Sequence, residues 1–235
     1  MSLVIATIVF LLVVLAIASV RTLLVFEFTA VSTLIFNTNK PGLILYSFFS
    51  FPGTVLHELS HWLMAELLQV QTGEIKIIPD LDTSEKRKKL GSVMTEKTDP
   101  FRGFMIGIAP FIVGTLALFL LESALSASWA NSLWWRVSLV IYGMVVIGNS
   151  MLISREDRRY WPIIGILLGL GAYLISLLNY DLSGLSFSWL INPLTRINLV
   201  LALVLVFNLI LLVTLFGVRY VLEKLTRKQV ITKRR

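Results

Sequence analysis

Apolar residues in this chain run on in long stretches, broken by short polar connectors. Six stretches stand out: residues 3–36, 42–70, 104–125, 133–153, 160–178 and 194–218. About twenty consecutive apolar residues are enough for a helix to cross a bilayer. The first stretch is longer than one upright helix needs and contains Arg21 and Glu27. It reads either as one tilted helix or as a span followed by an interfacial segment. The second is also long, and Pro52-Gly53 lies inside it. A proline removes a helix hydrogen bond and crowds the preceding turn. The expectation is therefore a kink or break there, with a shorter helix over 52–70 and Pro52 in its first turn. Between the second and third stretches, 73–79 and 92–98 read as short strands around a polar turn at 80–89. The pattern predicts an α-helical integral membrane protein of about six transmembrane helices with a small β-hairpin-like insertion.

Composition supports this. Of 235 residues 56% are hydrophobic and 15% charged, against about 25% charged in a typical soluble domain. No polar stretch is long enough for a second soluble domain, so residues 1–235 read as one polytopic domain. Cysteine is absent, which excludes disulfides and thiolate metal sites. The net charge of +7 fits topology and lipid contact better than nucleic-acid binding. Residues 1–20 hold no Lys or Arg, whereas a signal peptide carries a positive n-region. They are expected to form the first membrane helix.

The basic residues alternate along the chain. Segment 71–102 holds seven, 154–159 holds Arg155, Arg158 and Arg159, and 219–235 holds another seven. The connectors near 37–40, 126–132 and 179–193 hold only Lys40. By the positive-inside rule the three basic segments face the cytosol and the start of the second span faces outside. This implies a multi-pass protein of the cell membrane with a cytosolic C-terminus. The basic tail is suited to lie on anionic lipid headgroups. Trp134, Trp135, Trp161 and Trp189 near span ends read as an interfacial aromatic belt.

The chemistry is concentrated in His57-Glu58-Leu59-Ser60-His61, which contains both histidines of the chain. Positions i and i+4 share a helix face, so the two imidazoles can hold one Zn²⁺. Glu58 falls beside the metal and not on it, the position of a general base for a metal-activated water. Charged groups near a bilayer centre cost about 2.5–3.5 kcal/mol each on insertion scales, and a bound metal offsets that cost better than a bare polar cluster. A third protein ligand is required. Glu66 is on the same helix but turned away, and Glu122 and Asp181 fall toward the other side. Glu156 and Asp157, at the end of the fourth span, remain, and position alone does not choose between them.

The HELSH motif on a membrane helix, followed by a span ending 149–157 as Asn-Ser-Met-Leu-Ile-Ser-Arg-Glu-Asp, resembles the site-2 protease family of intramembrane zinc metalloproteases. That family carries an Asn and, eight positions later, a ligating Asp; Asn149 and Asp157 keep this spacing. The resemblance implies that Asp157 completes the ligand set and that Asn149 helps hold the substrate or the developing oxyanion. Segment 107–114 is similar to the family's small-residue span between the two metal-binding helices. The likeness covers roughly 41–165. Leu152 stands where the family has Pro, Arg158 follows the Asp where Gly is usual, and no PDZ-like or nucleotide-binding insertion is present. The chain thus looks like a divergent, minimal member.

The function expected is hydrolysis of a peptide bond in or near the membrane-spanning segment of a single-span substrate, with one zinc per chain. A membrane zinc hydrolase of lipid or prenylated peptide, and a metal-dependent scaffold, are the alternatives. The retained Glu58 speaks against the scaffold.

Overall fold

A computed structural model of the chain describes residues 2–76, 92–95, 98–152, 154, 156–177 and 187–230. In chain order its elements are α1 (Leu3–Phe36), α2 (Lys40–Leu67), β1 (Thr72–Lys76), β2 (Ser92–Thr95), α3 (Pro100–Ala130), α4 (Trp134–Ser150), α5 (Trp161–Leu177), a short 3-10 turn (Ser188–Leu190) and α6 (Ile191–Thr226). Three of them, α1, α3 and the segment Ser188–Thr226, are long and apolar enough to cross a membrane. The apolar part of α5 is shorter, and α2 and α4 do not reach that measure. The chain is therefore a helical membrane protein with three such spans among the described residues.

The first apolar stretch is a single helix. The Ser2 hydroxyl accepts from the Ile5 N–H at its start, and Asn37, in the left-handed region at φ 55°, ends it. A short polar side chain tolerates that conformation better than most residues do. Of the kink or break expected at Pro52, the break is absent: the helix is continuous from Lys40 to Leu67. Nearby, the Tyr142 hydroxyl on α4 donates to the Phe49 carbonyl at 2.8 Å. The α3 helix is longer than the apolar stretch 104–125, beginning at Pro100 and ending at Ala130. Asp99 caps the N–H groups of Phe101 and Arg102, and Pro100 occupies the first turn.

The strands β1 and β2 pair antiparallel, Ile75 opposite Val93 and Lys76 opposite Ser92, with an irregularity between Thr72 and Ile75. Both contact α2. The turn expected over 80–89 lies outside the described residues.

The α1 and α6 helices make the most extensive helix–helix contact, and they run in the same direction. Asn198 donates to the Ala6 carbonyl, Arg219 to Glu27 and Lys228 to Asn37. The last contact, at 2.8 Å, bears on topology. It puts the α1–α2 turn and the start of the tail on one side, whereas the charge pattern assigned them to opposite faces. Those two assignments cannot both stand. An alternation of loops assumes that each helix in sequence reverses the last, and the pairing of α1 with α6 does not obey it.

The main core joins Ile17 of α1, Leu118 of α3, Met144 of α4 and Leu201 and Val204 of α6. Two glycines set the close approach of the helices that carry the site. A Cβ on Gly53 of α2 would lie 2.4 Å from the Val146 carbonyl oxygen of α4, and one on Gly107 of α3 would lie 2.3 Å from the Asp157 carbonyl oxygen. Small residues allow such backbone contact between membrane helices, where side-chain hydrophobicity gives no drive to associate.

Candidate metal centre

The two histidines project from one face of α2, as their spacing requires. Their Nε2 atoms are 3.2 Å apart and their rings are nearly perpendicular. The third group comes from the turn after α4. Asp157 places Oδ1 3.3 Å from His61 Nε2 and Oδ2 3.9 Å from His57 Nε2. A tetrahedral ion with ligand bonds of about 2.0–2.1 Å holds its ligands roughly 3.3–3.4 Å apart. The separations bracket that value, and the three side chains form a candidate metal site.

The hydrogen bonding is compatible with this. His61 Nδ1 lies 2.8 Å from the Ile106 carbonyl of α3. A carbonyl cannot donate, so Nδ1–H donates, which leaves Nε2 as the atom turned to Asp157 Oδ1. Protonated, Nε2 pairs with that carboxylate directly; deprotonated, it offers a lone pair to a metal ion. The Ile106 contact is also the usual way in which a ligating histidine is held by its second nitrogen. His57 is less well served: its Nδ1 is buried with only the Ser150 backbone nearby, short of a well-formed hydrogen bond.

Asp157 is oriented by its own turn. The Ser154 N–H donates to Oδ2 at 2.6 Å, and the Asp157 N–H donates to the Ser154 hydroxyl at 3.2 Å. Burial alone would raise its pKa, but the hydrogen bonds from His61 and Ser154 and the charge of His61 outweigh it and hold the carboxyl below the usual carboxylate range. Glu156 is not part of the cluster. Glu66 accepts from the Thr72 hydroxyl, Glu122 pairs with Arg196 and Asp99 caps α3. Of the two carboxylates that position left open, the fold brings Asp157 to the histidines.

Glu58, one residue after His57, is buried at 6% exposure. It is outside the group whose ligand atoms converge.

Asn149 is placed differently. Its amide nitrogen donates to the Val145 carbonyl at 2.9 Å and to Asn208 Oδ1 at 3.0 Å, and its oxygen accepts from Asn208 at 2.8 Å. Both amide hydrogens are used, so the side chain as placed ties α4 to α6 and has no hydrogen to offer a substrate. Sequence reading missed Asn208. Its signal was available: a lone polar residue, 1% exposed, in the apolar α6, where such a group needs a partner.

None of the protein-family models, curated proteins or solved structures compared with the chain matches it.

Proposed function

We propose that this protein is an intramembrane zinc metalloprotease, hydrolysing a peptide bond in or near the membrane-spanning segment of another protein. One observation carries the reading: His57, His61 and a buried carboxylate from another element converge on one point, with Glu58 beside them. The resemblance of HELSH and of the 149–157 segment to the site-2 protease family supports the same reaction. His57, His61 and Asp157 would hold the ion, which when bound supplies a Lewis acid that acidifies water and polarises a carbonyl.

The chain's own residues do the rest. Glu58 takes the proton of the attacking water and returns it to the leaving nitrogen. Ile106 and Ser154 fix the orientation of His61 and Asp157. The hairpin β1–β2, packed against α2, offers a strand edge on which a locally unwound substrate can lie extended. Local unwinding is required, because a transmembrane helix keeps its peptide groups in internal hydrogen bonds. In this reading α2, α4 and α5 pack with the three long spans in one membrane domain of the cell membrane, without all six helices crossing in alternation. Cleavage lies toward the cytosolic side, which the basic segment 71–102 marks.

The test is Glu58→Gln in the purified full-length chain. Zinc content should stay at about one per chain, while turnover of a single-span substrate falls by about 10²–10⁴-fold. Loss of zinc along with activity would put Glu58 in the coordination sphere. Undiminished activity would place the hydrolysis elsewhere.

A further inference from the structure

Arg21 lies in the middle of α1, in the long apolar run that crosses the membrane. An arginine within a transmembrane segment is expensive and is found either paired or at a functional site. Among the described residues no carboxylate pairs with Arg21. Its one hydrogen bond runs from Nη1 to the Asn149 carbonyl oxygen at 3.0 Å. A guanidinium carries five N–H donors, so most of this fork is uncommitted to any protein group the structure records.

The place where it ends matters. Asn149 is the penultimate residue of α4. Ser150 follows it, against Gly53 of α2, one helical turn before His57. The amide that the 149–157 resemblance assigns to the oxyanion is meanwhile spent on Asn208 and Val145. That amide is therefore committed, whereas the Arg21 fork held by the same residue keeps donors to spare among the described residues.

We propose that Arg21 is a catalytic residue, the donor that meets the substrate's scissile carbonyl oxygen as it becomes negative. This rests on the hydrolytic reading above. The Asn149 carbonyl holds one arm of the guanidinium, and the remaining N–H groups face the charge that develops. Lysine could replace the charge but not the planar fork that lets one side chain serve two acceptors.

The experiment compares Arg21→Gln, Arg21→Lys and Glu58→Gln in detergent, with a fluorescent unstructured peptide as substrate and zinc affinity measured by chelator competition. Removing one oxyanion donor costs about 10²–10³-fold in kcat in other hydrolases. Arg21→Gln should show such a loss with KM nearly unchanged, and Arg21→Lys an intermediate loss. Zinc affinity in Arg21→Gln should be equal to that of the parent, because Arg21 is outside the ligand set. A merely structural arginine, holding the end of α4, would weaken zinc binding and turnover together; that result overturns the proposal. So does Glu58-dependent turnover that survives Arg21→Gln within about threefold, well short of the expected loss. Activity insensitive to Glu58→Gln overturns the hydrolytic reading itself, and this proposal with it.

Discussion

At the seam of α1 and α6, Arg219 donates to both oxygens of Glu27, at 2.7 and 3.1 Å, and to Glu223 at 3.0 Å. At the junction of α2, α3 and the turn after α4, His57, His61 and Asp157 bring one ligand atom each to a common point. Both clusters place ionisable groups among apolar helices, and both are largely buried. In the first, each donor meets a carboxylate, and the fork of an arginine fits Glu27 with two parallel bonds. Within itself it is complete. In the second, the separations are those that a metal ion can span. A buried polar cluster whose donors and acceptors pair off serves the fold. One whose ligand atoms converge on a point is a candidate site for an ion.

Removing one member of each cluster should separate these roles. The largest effect is expected at the metal centre. Asp157→Ala should take zinc from about one per chain to none and abolish turnover, while Glu156→Ala should leave both unchanged. Full zinc retention in Asp157→Ala, measured by metal analysis of the purified protein, would move the third ligand away from Asp157.

The clasp comes next. Glu27→Ala leaves the partly buried Arg219 with Glu223 alone, and the loss should fall below the about 3–5 kcal/mol of breaking a fully buried pair. It should lower the unfolding temperature in detergent without changing zinc content. The double variant Glu27→Leu/Arg219→Met removes both charges and should restore most of that stability, since an apolar pair of similar size often matches a buried ion pair. If the double variant is instead less stable than Glu27→Ala, the clasp stabilises by more than its charge pairing.

Gly107→Ala should have the smallest effect, because only one methyl is added. Its Cβ would press on the Asp157 carbonyl oxygen, and overpacking of this kind costs about 1–3 kcal/mol. The strain falls on the turn that aims the carboxylate, so zinc affinity should weaken, whereas the same change at Gly165, where a Cβ meets open space, should do nothing to it. Equal zinc affinity in the two variants would show that the turn is held by Ser154 alone.

Much of this was legible in the chain itself. Long apolar runs become helices because a backbone in an apolar surround has to satisfy its own hydrogen bonds. The facing of His57 and His61 is fixed by helix geometry over four residues, and the starts at Ser2 and Asp99 by local capping. The strand pair 72–95 follows from composition in the same way.

What only the tertiary structure decided depends on groups far apart in sequence. Position along the chain left Glu156 and Asp157 equal. The Ser154 turn, seated against Gly107, turns Asp157 inward. The α2–α4 contact beside Pro52 includes a hydroxyl 93 positions from the carbonyl it meets. The commitment of Asn149 depends on Asn208, 59 positions away. The side shared by the α1–α2 turn and the tail depends on α1 lying along α6, a pairing that loop charges do not encode. Local spacing determines which atoms one helix can bring together. Which helices meet is settled by close packing at glycines and by buried polar groups finding partners, and neither leaves a periodic mark in the sequence.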